Sequence, residues 1–232
     1  KQELGQFYTT NYGYILNNVH IPEHITKLIE PFAGEGHLTA FAVSQLKVVE
    51  SVFEYDIDPK TKFIPQRDTL LNPPNYNGFY IITNPPYLAR NKSVSKAIYD
   101  QYNENDLYKC FIRGLITNQC VGGIIIIPLN FFSSIRKSDL NLRRDFMSVY
   151  NIHHIRIFEE QVFDDTSYTV CVVQYINKLN EIISDILDEN DDVINVEFYP
   201  NKTSRKMVLN EDNMYTFGGH MFCLSHNNNY NI

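Results

Sequence analysis

The sequence predicts an α/β protein: a mainly parallel β-sheet, crossed over by helices, with an antiparallel pair of strands at its end. Three observations carry the prediction. Between residues 27 and 149, short apolar runs alternate with segments of helical spacing, an order that implies right-handed crossovers. The most buried-looking run, Val121 to Pro128, contains Gly122-Gly123 and lies between two such helical segments. After residue 149 two apolar runs follow one another, Ile152 to Phe158 and Tyr168 to Ile176, as an antiparallel hairpin on the sheet's edge would.

Taken in order, Lys27 to Phe32 reads as the first strand, ending in Gly34-Glu35-Gly36, with a helix from about Leu38 to Gln45 behind it. Val48 to Tyr55 is the second strand, closed by Asp56-Ile57-Asp58-Pro59, and a short strand is placed near Lys62 to Pro65. Phe79 to Thr83 runs into Asn84-Pro85-Pro86-Tyr87. Asp106 to Thr117 carries Leu107, Cys110, Phe111, Leu115 and Ile116 at helical spacing, and Leu140 to Val149 is a further helix. Beyond Tyr175 the composition shifts: 177–192 is acidic and polar, and Val193 to Tyr199 is a new strand. The domain boundary is therefore placed near Asn177, with 1–176 as one domain and 177–232 as the start of a second, incomplete one.

At 232 residues with 44% hydrophobic and 20% charged, the chain can bury a core. Its net charge of −7 argues against a non-specific nucleic-acid coat protein and leaves room for an enzyme with a local basic face. No apolar run reaches membrane-spanning length, and the residues from Lys1 onward, charged and polar, show no secretory signal pattern. The four cysteines form no CxxC pair and read as free thiols of a reducing, intracellular compartment. His153 and His154 occupy consecutive strand positions and face opposite sides, so no metal site is expected.

The sharpest chemical signal is Asn84-Pro85-Pro86-Tyr87 at the end of an apolar strand, the end at which open α/β sheets bind ligands. Two prolines fix the backbone and remove two N–H donors. The Asn84 side chain and the following carbonyl can then converge as acceptors on one amino group, while Tyr87 offers a flat face to a planar base. Gly34 and Gly36 let backbone approach a ligand, but the pattern is neither GxGxxG nor a P-loop. Asp56 stands where an acid commonly accepts ribose hydroxyls, with Ile57 beside it to cover an adenine face. Asp68, followed by Thr69, can accept from an amino group. Taken singly, Asp56 and Asp68 read sooner as turn or cap residues than as ligand contacts.

As an ordered series, Gly5-Gln6-Phe7-Tyr8-Thr9-Thr10, Glu30 to Gly36, Asp56 to Pro59, Asp68 and Asn84 to Tyr87 resemble the gamma-type DNA adenine-N6 methyltransferases. The likeness continues through Asp106-Leu107-Tyr108, Phe111, Gly122-Gly123, Leu142-Arg143 and Val162-Phe163, over roughly residues 5–176. It implies the class I fold dependent on S-adenosylmethionine (AdoMet): a mainly parallel seven-stranded sheet, helices on both faces, and an antiparallel C-terminal hairpin. It further implies that Tyr8, Thr9, Glu30, Phe32, Gly34 and Gly36 line the methionine end of AdoMet. Asp56 would hold the ribose, Ile57 and Phe111 would sandwich the adenine, and Asp68 with Thr69 would meet its amino edge. Asn84, Pro85 and Pro86 would present the acceptors, and Tyr87 and Phe163 would contact a flipped base. Two positions depart from the family: Thr10 replaces a usual proline, and Glu35 is bulky between glycines.

The partners implied are double-stranded DNA and a cognate restriction endonuclease, with the enzyme acting as a monomer. Arg90, Lys92, Lys96, Arg136 and Lys137 follow strands whose ends border the site and are candidate phosphate contacts, as are Arg143 and Arg144. Lys202, Arg205 and Lys206 form a further basic group. The same tetrapeptide also serves RNA adenine and protein-glutamine methyltransferases. A non-catalytic DNA-binding subunit is the alternative from another class.

Overall fold

The computed structural model describes residues 5, 9–163, 168–179 and 192–227. The chain divides into two compact units, Lys1–Ile125 and Ile126–Ile232.

In the first unit, β1 (Lys27–Glu30), β2 (Ser51–Glu54), β3 (Tyr80–Thr83) and the first part of β4 (Gly122–Pro128, which crosses the boundary) run in the order β2-β1-β3-β4. Every pairing is parallel, with Ile29 beside Phe53 and Ile81, and Ile81 beside Gly123. Each residue of β3 and β4 is buried, as continuous apolar strands in a parallel sheet are. The helices are α1 (Tyr12–Ile15), α2 (His37–Gln45), α3 (Ala97–Tyr102) and α4 (Leu107–Thr117). α4 turns Leu107, Tyr108, Phe111, Ile112 and Leu115 into the core. The short strand expected near Lys62 to Pro65 does not form: a single parallel bridge joins Asp56 to Gln66. Two prolines, Pro59 and Pro65, border that stretch, and Phe63 is 82% exposed, so it has neither donors nor burial enough to extend a ladder.

The second unit contains α5 (Asn130–Ser133), α6 (Lys137–Val149), β5 (Tyr150–Phe158), β6 (Val170–Asn177), β7 (Val193–Tyr199), β8 (Thr203–Val208) and α7 (Met214–Asn227). The β5–β6 pair is antiparallel with an irregularity between Ile152 and His154. The hairpin is not the edge anticipated from the sequence, because β7 adds to β5 in parallel and β8 pairs antiparallel with β7. A buried ionic network explains how β7 is held there. Arg156 is 1% exposed and donates to Glu197 through Nε at 2.9 Å, with Nη2 at 2.8 Å. His154 joins Glu197 through Nε2 at 3.1 Å and Gln174 through Nδ1 at 2.8 Å. Both ring nitrogens of His154 are thus engaged within the sheet, and among the described residues no group of three or more His, Cys, Asp or Glu side chains could hold a metal.

Arg143, read from the sequence as a candidate phosphate contact, is fully buried. Its Nε donates to the Phe131 carbonyl at 3.0 Å, Nη2 to Ser134 at 2.9 Å and Nη1 to Met214 at 3.2 Å. It therefore satisfies carbonyls around α5 and at the start of α7, and phosphate cannot reach it. No described helix is long and apolar enough to cross a membrane.

Candidate active site

The parallel strands of the first unit deliver their C-terminal ends to one edge of the sheet, and three turns leave from it: after Glu30, after Glu54 and after Thr83. The first turn ends at Gly36, whose φ of 79° is left-handed and which caps α2. A Cβ there would meet only the movable end of the Glu54 side chain, at 3.0 Å, so it is the left-handed backbone that favours glycine. Glu30 is buried and accepts the Thr39 amide at 3.0 Å and the Thr39 hydroxyl. Burial pushes its carboxyl well above the ordinary value, opposed by the Thr39 bonds and reinforced by the charges of Glu54 and Asp56.

Asp56, 2% exposed, ties the second turn to the first. Its Oδ2 accepts the Gly34 amide at 2.8 Å, and its Oδ1 accepts the Asp58 amide at 2.7 Å. A carboxylate has about four lone-pair sites, so both oxygens retain capacity for further donors. Asp68 folds its own turn, Oδ1 accepting the Leu70 and Leu71 amides at 3.1 and 3.0 Å. The Thr69 hydroxyl donates to the Pro31 carbonyl at 2.9 Å and pins that turn against the first.

The third turn is the tetrapeptide. Asn84 Nδ2 donates to Thr9 Oγ1 at 3.1 Å, and the Tyr87 hydroxyl donates to Asn84 Oδ1. The Tyr87 amide donates to Gly5 at 2.9 Å. Gly5 has φ 65°, and a Cβ on it would lie 2.7 Å from the Tyr87 carbonyl oxygen, so only glycine allows the N-terminal segment to seat against the tetrapeptide.

Two hollows meet at Asn84. The larger, about 480 Å³, is lined by Phe32, Asp56, Ile57, Asp68, Thr69, Asn84 and Pro86 together with Leu71, Leu88, Lys92, Val94 and Ile98. The smaller, about 20 Å³, is lined by Thr9, Glu30, Phe32, Gly34, Glu35, His37 and Asn84. Phe32 and Asn84 border both.

Several anticipated residues do not line the hollows of the first unit. Phe111 is in the core with its ring edge-on behind Phe32, centroids 5.1 Å apart, and is not on the cavity wall. Pro85 and Gly36 border neither hollow. The Tyr87 ring, 3% exposed, packs edge-on to Tyr108 at 6.2 Å with no open face toward the cavity. Phe163 is buried in the second unit, and Tyr8 lies outside the described residues. Among the candidate phosphate contacts, Arg90 pairs with Asp100 at 2.6 Å and Lys96 turns inward onto the Arg90 and Ser93 carbonyls. Lys92, Arg136 and Lys137 are exposed. The wall formed by residues 88–98 was missed by sequence reasoning; its one signal was Val94, an apolar residue among polar ones.

A family model for the Eco57I restriction-modification methylases matches residues 18–163. The chain belongs to that family. No curated protein matches it. Among solved structures, a protein assigned as the modification subunit of a type I restriction enzyme from Vibrio vulnificus is 15% identical with a TM-score of 0.57, over 98% of this chain and 54% of that one. A type I restriction-modification methyltransferase subunit from Streptococcus thermophilus is 13% identical with a TM-score of 0.57, over 95% and 54%. A protein assigned as a class I S-adenosylmethionine-dependent methyltransferase from Listeria monocytogenes is 11% identical with a TM-score of 0.54, over 90% and 67%. At these identities the likeness speaks to fold: this Eco57I-family chain has the class I AdoMet-dependent methyltransferase fold, and it spans about half the length of the type I subunits.

Proposed function

We propose that the chain carries the catalytic part of a DNA adenine methyltransferase, moving a methyl group from AdoMet to N6 of an adenine flipped out of double-stranded DNA. The observation that carries this reading is Asn84, which borders both hollows at the end of β3. The residues present suit the cofactor. The larger hollow offers carboxylates at Asp56 and Asp68 beside the apolar faces of Phe32 and Ile57, the set a nucleoside with two hydroxyls and an amino edge requires. The smaller offers Glu30 and Thr9 to an amino-acid end. Once bound, AdoMet supplies a methyl group made electrophilic by a sulfonium.

The chain's own part is placement. Asn84 Oδ1 and the Pro85 carbonyl accept the two N–H bonds of the target amine, which draws its lone pair out of the ring system. For this the Tyr87 hydroxyl leaves Asn84, and its ring turns to stack on the extruded base; stacking of about 1–3 kcal/mol offsets part of the few kcal/mol that flipping costs. Phe163 is assigned the opposite part of that base. Phe111 supports the adenine pocket from behind Phe32, and Tyr8 is assigned to the methionine end. Lys92, Arg136 and Lys137 are assigned to phosphates. Target recognition is assigned to the chain from about residue 177 onward, and an intracellular restriction endonuclease is the functional partner.

The test is incubation with labelled AdoMet and plasmid DNA, followed by mapping of the modified base. N6-methyladenine at a defined sequence is the expected product. Label appearing in RNA or in a protein glutamine, with none in DNA, would replace the reading.

A further inference from the structure

We propose that Lys96 is a positioning residue whose ammonium group closes the loop after Tyr87 and so builds the outer wall of the larger hollow. The inference rests on reading that hollow as the AdoMet site.

The loop is tied at its base by bonds to backbone carbonyls. The Leu107 amide donates to Leu88 at 3.2 Å, the Arg90 amide to Asn105 at 2.9 Å, and the Tyr99 hydroxyl to Leu88 at 2.9 Å. Further out, the Lys92 amide reaches Ala89 at 2.9 Å and the Ser93 amide reaches Arg90 at 3.3 Å. The Ser93 hydroxyl donates to the Ser95 carbonyl at 2.8 Å, the Ala97 amide reaches Ser95 Oγ at 3.4 Å, and Ser93 and Tyr99 share a side-chain bond, so the turn has neutral ties toward α3 but none of them gathers both of its sides. Yet Lys92, Ser93, Val94 and Ser95 all line the cavity. Val94 is fully exposed, so apolar packing does not hold the turn either.

Lys96 supplies the tie that joins both sides of the turn. It stands immediately before α3, and its Nζ donates to the carbonyls of both Arg90 and Ser93. One ammonium therefore gathers the two sides of the turn onto the start of a helix. Its acceptors are neutral carbonyls, so the contact is a fork of charge-assisted donors rather than an ion pair. An uncharged side chain of the same length cannot reproduce it, whereas a guanidinium can. On the outer side the Arg90–Asp100 pair, at 2.6 Å, adds a second tether to α3. Lys92 differs: it is exposed, lines the cavity, and its ammonium has no hydrogen-bond or ion-pair partner among the described residues. The sequence treats these lysines alike, but the structure separates them into a wall-builder and a free cation.

The experiment compares the Lys96→Met, Lys96→Arg and Lys92→Met variants of the full chain. Three quantities are measured: AdoMet affinity by titration calorimetry, amide hydrogen exchange over residues 89–95, and the dependence of DNA affinity on salt. If the wall without its staple is assembled about a tenth of the time, Lys96→Met raises the apparent AdoMet Kd about tenfold. It also speeds exchange at Lys92 and Ser93 and leaves the salt slope unchanged, and Lys96→Arg restores the first two. Lys92→Met lowers the salt slope by about 1 and leaves exchange alone. Wild-type exchange in Lys96→Met, or a reduced salt slope with unchanged AdoMet affinity, overturns the assignment. If the wild-type chain binds no AdoMet, it is the cofactor reading that fails, and the exchange comparison still decides whether Lys96 builds the wall.

Discussion

Asn84 is held at both ends of its amide, by Thr9 at Nδ2 and by the Tyr87 hydroxyl at Oδ1. Its orientation is thereby fixed, and Oδ1 becomes available to a further donor once the Tyr87 hydroxyl leaves. Asn84→Ala should cut methyl transfer by about 10³ or more while leaving AdoMet affinity nearly unchanged, read by single-turnover transfer beside calorimetry. Equal turnover would remove the residue from the chemistry. Asp56→Ala should act the other way, weakening AdoMet binding by about 2–3 kcal/mol before any effect on transfer at saturation. Glu30 makes a pH prediction at the same scale. Burial raises its carboxyl above the ordinary value of 4.5, so the free site holds a proton to higher pH. The ammonium of a bound cofactor favours the ionised form, so binding releases that proton and affinity rises with pH through the window between the two values. Calorimetry in buffers of different ionisation enthalpy reads the released proton directly. Glu30→Gln should flatten the pH dependence, and a slope that survives the substitution would exclude Glu30 as its source.

At the scale of elements, Arg143 shows how far a charge can mislead. It sits in a helix among Lys137, Arg136 and Arg144, and composition alone makes it one more surface cation. The structure spends its donors on the carbonyls of Phe131, Ser134 and Met214, fixing α5 and the start of α7 to α6. Arg143→Met keeps the apolar stem but leaves buried acceptors unsatisfied, so we expect a loss of about 3 kcal/mol in urea unfolding with little change in the salt dependence of DNA binding. The reverse pattern would return Arg143 to the phosphate contacts. Strands β1 to β7 and the helices α4 and α6 were legible because their apolar residues recur and each has a face to bury, and α2 was legible from its place behind the glycine turn although its apolar residues mark no clear face; β8, almost wholly exposed, was not read. α3 and the wall around Val94 were not, because six residues of helix and an exposed loop carry no period. The inward turn of Lys96 and the Tyr87–Asn84 bond were hidden for a related reason: each depends on a rotamer, and the residue type permits the opposite orientation equally well.

For the whole molecule, the pH dependence of stability is set by buried groups that pull in opposite directions. Burial raises the Asp106 carboxyl from 3.8 to about 6, against the partial relief of Lys109. Burial, with the charge of His154 added, lowers His153 from 6.5 to about 4. Each shift corresponds to about 3 kcal/mol. The signs differ. Between about pH 4 and 6 the native state holds the Asp106 proton that the unfolded chain gives up, so this contribution is full at low pH and is lost as pH rises. Between about pH 4 and 6.5 the unfolded chain protonates His153 while the native state keeps it neutral, so this contribution is full at high pH and is lost as pH falls. Over the shared window the two nearly cancel, and the wild-type profile hides both. Single substitutions should expose them. Relative to wild type, Asp106→Asn should gain stability from pH 4 to 6 and then level off, while His153→Gln should gain as pH falls over the same range. The double variant should run parallel to wild type, because removing both groups removes equal and opposite slopes. Urea unfolding at half-unit pH steps measures all four curves. If either single variant tracks wild type across the window, the corresponding group is not buried in the state its surroundings dictate.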